Sequence, residues 1–160
     1  MMGWTVTGTD GEPVKDFSIM GVSQARQAAF NHLVADRRTE GLLYRVKDGV
    51  KEVVCEIDTV SARYRAPGGG SGWKPICRKL VLMDDDEWIV VDAGLVDFQN
   101  VRLYAELCGV DMSDVIEDEP MLFYGKTVPD PDGGYVYEFT EAQTPRSFPV
   151  WVFERRHTDG

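Results

Sequence analysis

The sequence lacks the short motifs by which catalytic sites are commonly recognised. It has no G-x-S-x-G, no H-E-x-x-H and no H-x-E followed by P-C-x-x-C. Histidine is scarce as well, with His32 inside a helical pattern and His157 in a polar tail. Acid–base and nucleophilic catalysis need a base beside its partner, and no motif supplies that pair. We therefore expect a protein that is not an enzyme. The alternative is a small enzyme whose site residues converge only in the fold.

Cysteine is also scarce, which argues against a secreted protein whose fold is held by disulfides. Cys55, Cys77 and Cys108 are odd in number, far apart and without a C-x-x-C, so they do not form a secreted disulfide framework. Each lies in an apolar pattern, where an unpaired cysteine is usually a small buried residue. The N-terminus has no signal-peptide pattern, and no apolar run approaches ~18 residues. We expect a cytoplasmic protein with no membrane contact.

No complete metal or cofactor motif is present. A calcium loop would begin at Asp130, with Asp132 and Glu141 at matching positions. However, Gly134 and Tyr135 stand at loop positions 5 and 6, where a ligand and the turn glycine are needed. Spaced Cys and His ligands and a dinucleotide fingerprint are missing too. We expect neither a metal nor an organic cofactor.

Acids are absent from one stretch of the chain, and bases are nearly absent from the next. Residues 59–83 contain no Asp or Glu, whereas residues 84–119 contain twelve acids and a single base, Arg102. The second stretch accounts for the whole net charge of −10, and the sequence pI is about 4.6. Such acidity disfavours direct nucleic-acid binding, which relies on clustered Lys and Arg, and favours association with basic partners.

The acid-free stretch carries five bases around a glycine-rich loop, residues 67–72. Its composition predicts a flexible connection. Glycine-rich loops also hold anions where backbone N–H groups converge, so Arg65 and Lys74 form a candidate weak anion site. The phosphate-loop spacing G-x-x-x-x-G-K-[ST] is absent, and Pro75 opens a strand-like run rather than a helix. The bases of this stretch are also able to neutralise part of the acidic stretch within the fold.

Local patterns predict an α+β fold in a single domain over residues 1–160, with antiparallel β-hairpins packed against two main helices. Helical periodicity, with a glycine after each helix, predicts helices over residues 23–38 and 98–108. Asp48-Gly49 alone separates two strand-like runs, which predicts a two-residue hairpin. Further strands are predicted over residues 4–7, 14–19, 75–83, 88–92, 121–127, 135–140 and 148–154. A helical turn after Ser113 and a frayed tail over residues 156–160 complete the prediction.

The acidic stretch is the candidate functional surface. Carboxylates spaced along a turn and a helix end can occupy Arg and Lys positions that otherwise hold phosphates. We expect an acidic inhibitor that docks on a basic nucleic-acid-binding surface, similar in size and charge to anti-CRISPR, anti-restriction and nuclease-immunity proteins. A virion or assembly subunit with a merely solvated acidic surface is the alternative. The candidate partner-binding residues are Asp84, Asp85, Asp86, Glu87, Glu117, Asp118 and Glu119.

Overall fold

The structure is a computed structural model and describes nine ranges of the chain: residues 2–18, 21–69, 72–76, 82–84, 88–113, 115–129, 131–133, 135–140 and 145–155. Two antiparallel sheets and two α-helices form a single-domain α+β fold, which confirms the predicted class. Parts of the predicted flexible loop, at residues 70–71, and the whole predicted tail, at residues 156–160, lie outside the described residues. Among the helices that are described, none is long and apolar enough to cross a membrane.

A six-stranded sheet is built from the first half of the chain. Its strands are β1 (Met2–Thr7), β2 (Pro13–Phe17), β3 (Glu40–Lys47), β4 (Val50–Asp58), β5 (Arg63–Arg65) and β6 (Lys74–Pro75). They are ordered β2-β1-β3-β4-β5-β6, and every neighbouring pair is antiparallel. Between β3 and β4, Asp48 and Gly49 have φ values of 51° and 80°. A type I′ turn requires positive φ at both positions, so the predicted hairpin is confirmed.

A five-stranded sheet is built from the second half. Its strands are β7 (Leu82–Asp84), β8 (Trp88–Asp92), β9 (Met121–Pro129), β10 (Tyr135–Thr140) and β11 (Phe148–Glu154). They are ordered β10-β9-β11-β8-β7. The last strand of the chain is therefore the central strand, and it pairs with β9 on one side and β8 on the other.

The predicted strand over residues 75–83 is wrong as a single element, because its two ends belong to different sheets. Pro75 is in β6, at the edge of the six-stranded sheet, while Leu82 begins β7, at the edge of the five-stranded sheet. Proline has no N–H to donate, so an edge position suits it. The hairpin across the acidic turn is nevertheless present, since β7 pairs antiparallel with β8.

The helices are α1 (Val22–Ala35) and α2 (Val101–Leu107), the second preceded by one 3-10 turn, Phe98–Asn100. Gly109, at φ 87°, follows α2 as predicted. The glycine that follows the first predicted helix in the sequence, Gly41, does not end α1, so that part of the prediction is wrong. Arg37 is left-handed, at φ 56°, and the Arg38 N–H donates to the Leu33 carbonyl at 2.9 Å. The helix thus ends without a glycine. The hydrogen bonds made by the Arg37 and Arg38 N–H groups to carbonyls of the last turn offset the conformational cost of a positive φ at Arg37. The predicted turn after Ser113 is not helical in the part that is described.

Gly41 has a packing role instead. It lies in β3 under α1, where a Cβ atom would stand 2.5 Å from a Leu33 methyl group and 2.8 Å from the Thr7 carbonyl oxygen. Real Cβ atoms do not approach other atoms so closely. Glycine therefore allows the helix to lie directly on the sheet.

Both sheets and both helices contribute to one hydrophobic core. α1 packs on β1, β2 and β3, α2 packs on β8, and the two helices pack on each other. The Phe30 and Tyr104 rings meet edge to face at the helix contact, 5.4 Å apart. The largest buried side chains of the core are Tyr104, Phe30, Phe153, Leu33, Leu43, Ile57, Ile89 and Leu95.

Two buried amides fasten α1 to the loop that follows β8. The Asn31 side-chain oxygen accepts the Asp97 N–H at 2.8 Å, and its side-chain nitrogen donates to the Leu95 carbonyl at 3.2 Å. The Asn100 side-chain nitrogen donates to the Asn31 carbonyl at 3.2 Å. Buried polar groups in folded proteins are normally hydrogen-bonded, because an unpaired one is costly. These bonds therefore connect the half of the molecule that holds the six-stranded sheet to the half that holds the five-stranded sheet.

Candidate binding surfaces

One end of the five-stranded sheet holds Asp84, the first residue of the first acidic run. Asp84 ends β7 and pairs in register with Trp88 on β8. Trp88 in turn pairs with Glu154 at the end of β11. Asp84 and Glu154 are thus two strand spacings apart, or ~10 Å. Asp85, Asp86 and Glu87, which connect β7 to β8 in the sequence, lie outside the described residues.

The second acidic segment reaches the same end from the other side of β11. Val115 forms a β-bridge with Arg155, and the Ile116 N–H donates to the Glu154 carbonyl at 2.9 Å. The Glu154 N–H donates to a Glu117 carboxylate oxygen at 3.0 Å. Both backbone groups of Glu154 therefore face the segment that begins the second acidic run. We call Asp84, Glu117, Asp118, Glu119 and Glu154 the acidic end.

The acids of this surface differ in what their side chains do. Glu117 is half-buried and bonds the backbone of β11, so one of its oxygens is used inside the fold. Asp118 and Glu119 are exposed, and neither forms an ion pair with any residue that the structure describes. The structure therefore divides the predicted trio into one anchoring carboxylate and two outward ones.

An exposed apolar side chain and one base accompany these acids. Ile116 is 48% exposed although its backbone is bonded to β11. Arg155 lies opposite Val115. The pKa of Asp111 is lowered chiefly because its carboxylate accepts hydrogen bonds from Ser113, with a smaller contribution from Arg155. The positive charge of Arg155 thus also acts toward Asp111.

The bases of the acid-free stretch are used elsewhere. Arg63 pairs with Asp58 at 3.0 Å, and Arg65 pairs with Glu56, in both cases across β4 and β5. The expected neutralisation of the acidic stretch therefore does not involve these two arginines. Arg78 and Lys79 lie outside the described residues.

Arg65 and Lys74, the predicted anion-site pair, do border one pocket. It has a volume of about 110 Å³ and lies between α1, β5 and β6. Lys74 pairs in register with Tyr64, so both side chains stand on the same face of the sheet. Arg26 of α1 is a third basic residue at this pocket, and its guanidinium lies 4.1 Å from the centre of the Tyr64 ring. We call Arg26, Tyr64, Arg65 and Lys74 the basic pocket.

Sequence reasoning missed Arg26 because it lies in a helix almost forty residues before the bases it joins. It also missed the aromatic contacts of the basic residues. Trp73 lies 4.5 Å from the guanidinium of Arg63 and 4.4 Å from that of Arg65. A tryptophan among arginines in the sequence was the one local signal for these contacts.

The histidine and the two cysteines that the structure describes lie in surroundings that do not activate them. The His32 ring packs on Phe17, and burial is the main cause of its lowered pKa. Cys55 is buried, which raises the pKa of its thiol to about 11, so it is a neutral thiol near pH 7. Cys108 donates weakly to the Val60 carbonyl at 3.7 Å. His157 and Cys77 lie outside the described residues.

Possible metal ligands are not clustered in the part of the chain that the structure describes: no group of three His, Cys, Asp or Glu residues could hold an ion there. Asp132, of the incomplete calcium loop, lies in the turn between β9 and β10. Asp130 and Glu141, the two other acids of that pattern, fall outside the described residues.

The face of the five-stranded sheet turned away from the helices is aromatic and concave. Trp88 and Phe139 lie on β8 and β10, three strand spacings or ~14 Å apart along the sheet. Their rings are nevertheless in contact, with centroids 6.0 Å apart. The sheet therefore curls, and a cavity of about 440 Å³ in the curl is lined by Trp88, Phe123, Phe139 and Thr140.

Comparison of the chain with protein-family models, with curated protein sequences and with solved structures finds no match in any of the three.

Proposed function

We propose that the protein is a non-enzymatic inhibitor that acts in the cytoplasm and docks through its acidic end on a basic, nucleic-acid-binding surface of a partner protein. The observation that carries the proposal is the strand register. Asp84, the first acid of one run, and Glu117, which begins another run about thirty residues later in the sequence, lie at one end of one sheet, on either side of Glu154. An acidic loop that is merely solvated has no need of this convergence.

Anchoring of the second segment supports the proposal. Ile116 and Glu117 are hydrogen-bonded to β11, so the two exposed acids that follow them start from a fixed backbone. Carboxylates held in place lose less freedom on binding than those of a mobile tail. They are therefore suited to charge-assisted bonds with Arg and Lys.

Ile116 supplies the apolar contact that such an interface needs. Binding energy in protein interfaces concentrates in a few apolar or aromatic anchors, and surrounding charges steer the encounter and set specificity. At 48% exposure, Ile116 is one of the few large apolar side chains of the described residues that remain outside the core. We expect Ile116 to affect dissociation and the acids to affect association.

The inhibitory mechanism is occupation of phosphate-binding positions. A partner groove lined with Arg and Lys that holds nucleic acid will bind the acidic end in its place. Association should slow as salt rises, because charges on the surface are screened over ~8 Å at physiological ionic strength.

The test begins with affinity capture and native mass spectrometry to identify the partner. The purified protein is then titrated into a complex of that partner with fluorescently labelled nucleic acid. We expect displacement of the nucleic acid, with an association rate that falls steeply between about 50 and 200 mM salt. The double variant Asp118→Lys/Glu119→Lys should slow association at least about tenfold. Adding reversals of Asp85, Asp86 and Glu87 should slow it further.

Glu40→Lys/Glu138→Lys is the matched control, because it changes net charge equally at two exposed acids on other strands. It should leave the association rate within about twofold of the wild type. An acidic partner, binding that is insensitive to salt, or equal losses in the two double variants would each refute the proposal. Ile116→Ala should instead raise the dissociation rate with little change in salt dependence.

A further inference from the structure

We propose that the basic pocket binds a phosphate group, held mainly by Arg26 and Lys74. The site is separate from the acidic end, because the basic pocket lies on the six-stranded sheet and the acidic end on the five-stranded sheet.

Convergence of positive charge is the first observation. Arg26 of α1 and Lys74 of β6 border one pocket in a chain whose net charge is −10, whereas the side chain of Arg65, which also borders the pocket, alternates with Tyr64 to the other face of the sheet. Arg65 is paired with Glu56. Neither Arg26 nor Lys74 forms an ion pair with any carboxylate in the described part of the chain. With many acids present to pair with, two cations left together at one pocket indicate a site for an external anion.

The guanidinium of Arg26 is held in place while its hydrogen-bonding edge stays usable. Its central carbon lies over the Tyr64 ring, 4.1 Å from the ring centre, and one nitrogen donates to the Ser23 hydroxyl at 3.3 Å. A contact with the ring face uses none of the five N–H donors of the guanidinium, and the Ser23 bond uses one of them. An arginine already ordered in this way loses less freedom when it binds an oxyanion.

Lys74 completes the arrangement from the neighbouring strand. It is exposed and stands on the same face as Tyr64, with which it pairs in register. The ring of Tyr64 therefore lies beside both cations. The floor of the pocket includes buried Cys55, and the positive charge of Arg26 partly opposes the burial that raises the pKa of this thiol. The charge of Arg26 is thus felt inside the pocket.

The size of the pocket selects the ligand class. At about 110 Å³ it holds the volume of a few water molecules, far less than the ~300 Å³ or more of pockets that enclose whole organic ligands. It therefore admits a phosphate group but not the rest of a nucleotide. The strongly negative net charge also disfavours a long polyanion. The ligand is thus inorganic phosphate or a small phosphomonoester whose organic part remains outside.

The experiment titrates the intact protein with inorganic phosphate, glycerol phosphate and a short single-stranded oligonucleotide, followed by ¹H–¹⁵N spectra of the Arg26 side chain and the Trp73 indole. We expect saturable binding of phosphate or the phosphomonoester with a Kd on the order of 1 mM. Tighter binding of the monoester would identify a phosphorylated small molecule as the source, and equal binding would identify free phosphate. Tightest binding of the oligonucleotide would overturn the assignment.

Variants distinguish a specific phosphate site from non-specific attraction of phosphate to basic residues. Lys74→Gln and Arg26→Gln should each weaken binding about fivefold or more. Arg63→Gln is the matched control, since Arg63 lies on the same strand and also contacts Trp73, but is not among the residues that border the pocket. It should change the Kd less than about twofold. Shifts that rise without saturation, or an equal loss in Arg63→Gln and Lys74→Gln, would refute the proposal. Backbone spectra that overlay those of the wild type show that each variant is folded.

Discussion

The two sheets differ in how they treat charge and apolar surface. The six-stranded sheet pairs opposite charges across neighbouring strands, as with Arg63 and Asp58. The five-stranded sheet has acids at one end. Among the described residues there, Arg155 is the one base, and it lies opposite Val115. Charges paired within a sheet are neutral to a partner, whereas acids gathered at one end create a field beyond the surface. The difference supports our proposal that the acidic end, on the five-stranded sheet, is the surface that docks on a basic partner.

The apolar surfaces differ in parallel. The six-stranded sheet buries one face under α1 and exposes charged side chains on the other. The five-stranded sheet is apolar on both faces: Ile89 and Phe153 point to the core, and Val90 and Val152 belong to a second buried cluster. The curl that brings Trp88 to Phe139 closes over that cluster. The five-stranded sheet therefore covers its second apolar face by its own curvature rather than by a helix.

The largest expected effect comes from removing an aromatic ring from each apolar region. Phe30 is fully buried between the helices, so Phe30→Ala should lower the free energy of unfolding by about 3–5 kcal/mol. Phe139 is 37% exposed in the curl, so Phe139→Ala should cost only about 1–2 kcal/mol. Urea unfolding followed by circular dichroism measures both. Equal losses would mean that the second cluster is as important for folding as the shared core.

An intermediate effect is expected at the joint between the two halves. Asn31→Leu leaves the Asp97 N–H without its acceptor and removes one of the two side-chain donors to the Leu95 carbonyl, the other being Gln27, which together should cost about 1–3 kcal/mol. Asn100→Leu removes the donor to the Asn31 carbonyl. In a double-mutant cycle the two changes should be coupled by about 0.5 kcal/mol or more. Additive losses would show that the amides act separately rather than as one connection.

Local chemistry made much of the fold predictable. Positive φ at Asp48 and Gly49 is a property of the dipeptide itself, and the strand over residues 148–154 was predicted at its observed limits. Errors arose where distant contacts decide the outcome. Residues 75–83 are divided between two sheets because the pairing partners of each end lie in different parts of the chain. The sequence likewise showed two acidic runs, but it did not show that Asp84 and Glu117 lie on either side of β11, nor that Arg26 borders the basic pocket.

The smallest expected effect is a pH dependence at His32, where charges from the two halves oppose each other. His32 is half-buried on α1, and its pKa is lowered below 6.5 mainly by burial, with Lys15 of β2 acting in the same direction. Asp97, from the loop after β8, acts in the opposite direction. The folded protein therefore prefers the neutral ring. As pH falls through 6.5 the unfolded chain takes up the proton more readily, so stability should decrease until the pH is below the folded pKa.

His32→Gln removes this titration and is the direct measurement. The free energy of unfolding of the wild type should decline relative to that of the variant between about pH 7 and pH 5, and the two should run parallel above that range. His157 is present in both proteins, so its contribution cancels in the comparison. In Asp97→Asn the decline in the free energy of unfolding toward acid should be larger than in the wild type, because the variant lacks the charge that favours the protonated His32 ring. If the stability of the wild type instead rises toward acid relative to His32→Gln, the charge of Asp97 outweighs burial and Lys15. The electrostatic potential at His32 would then be set mainly by the half of the molecule that holds the five-stranded sheet.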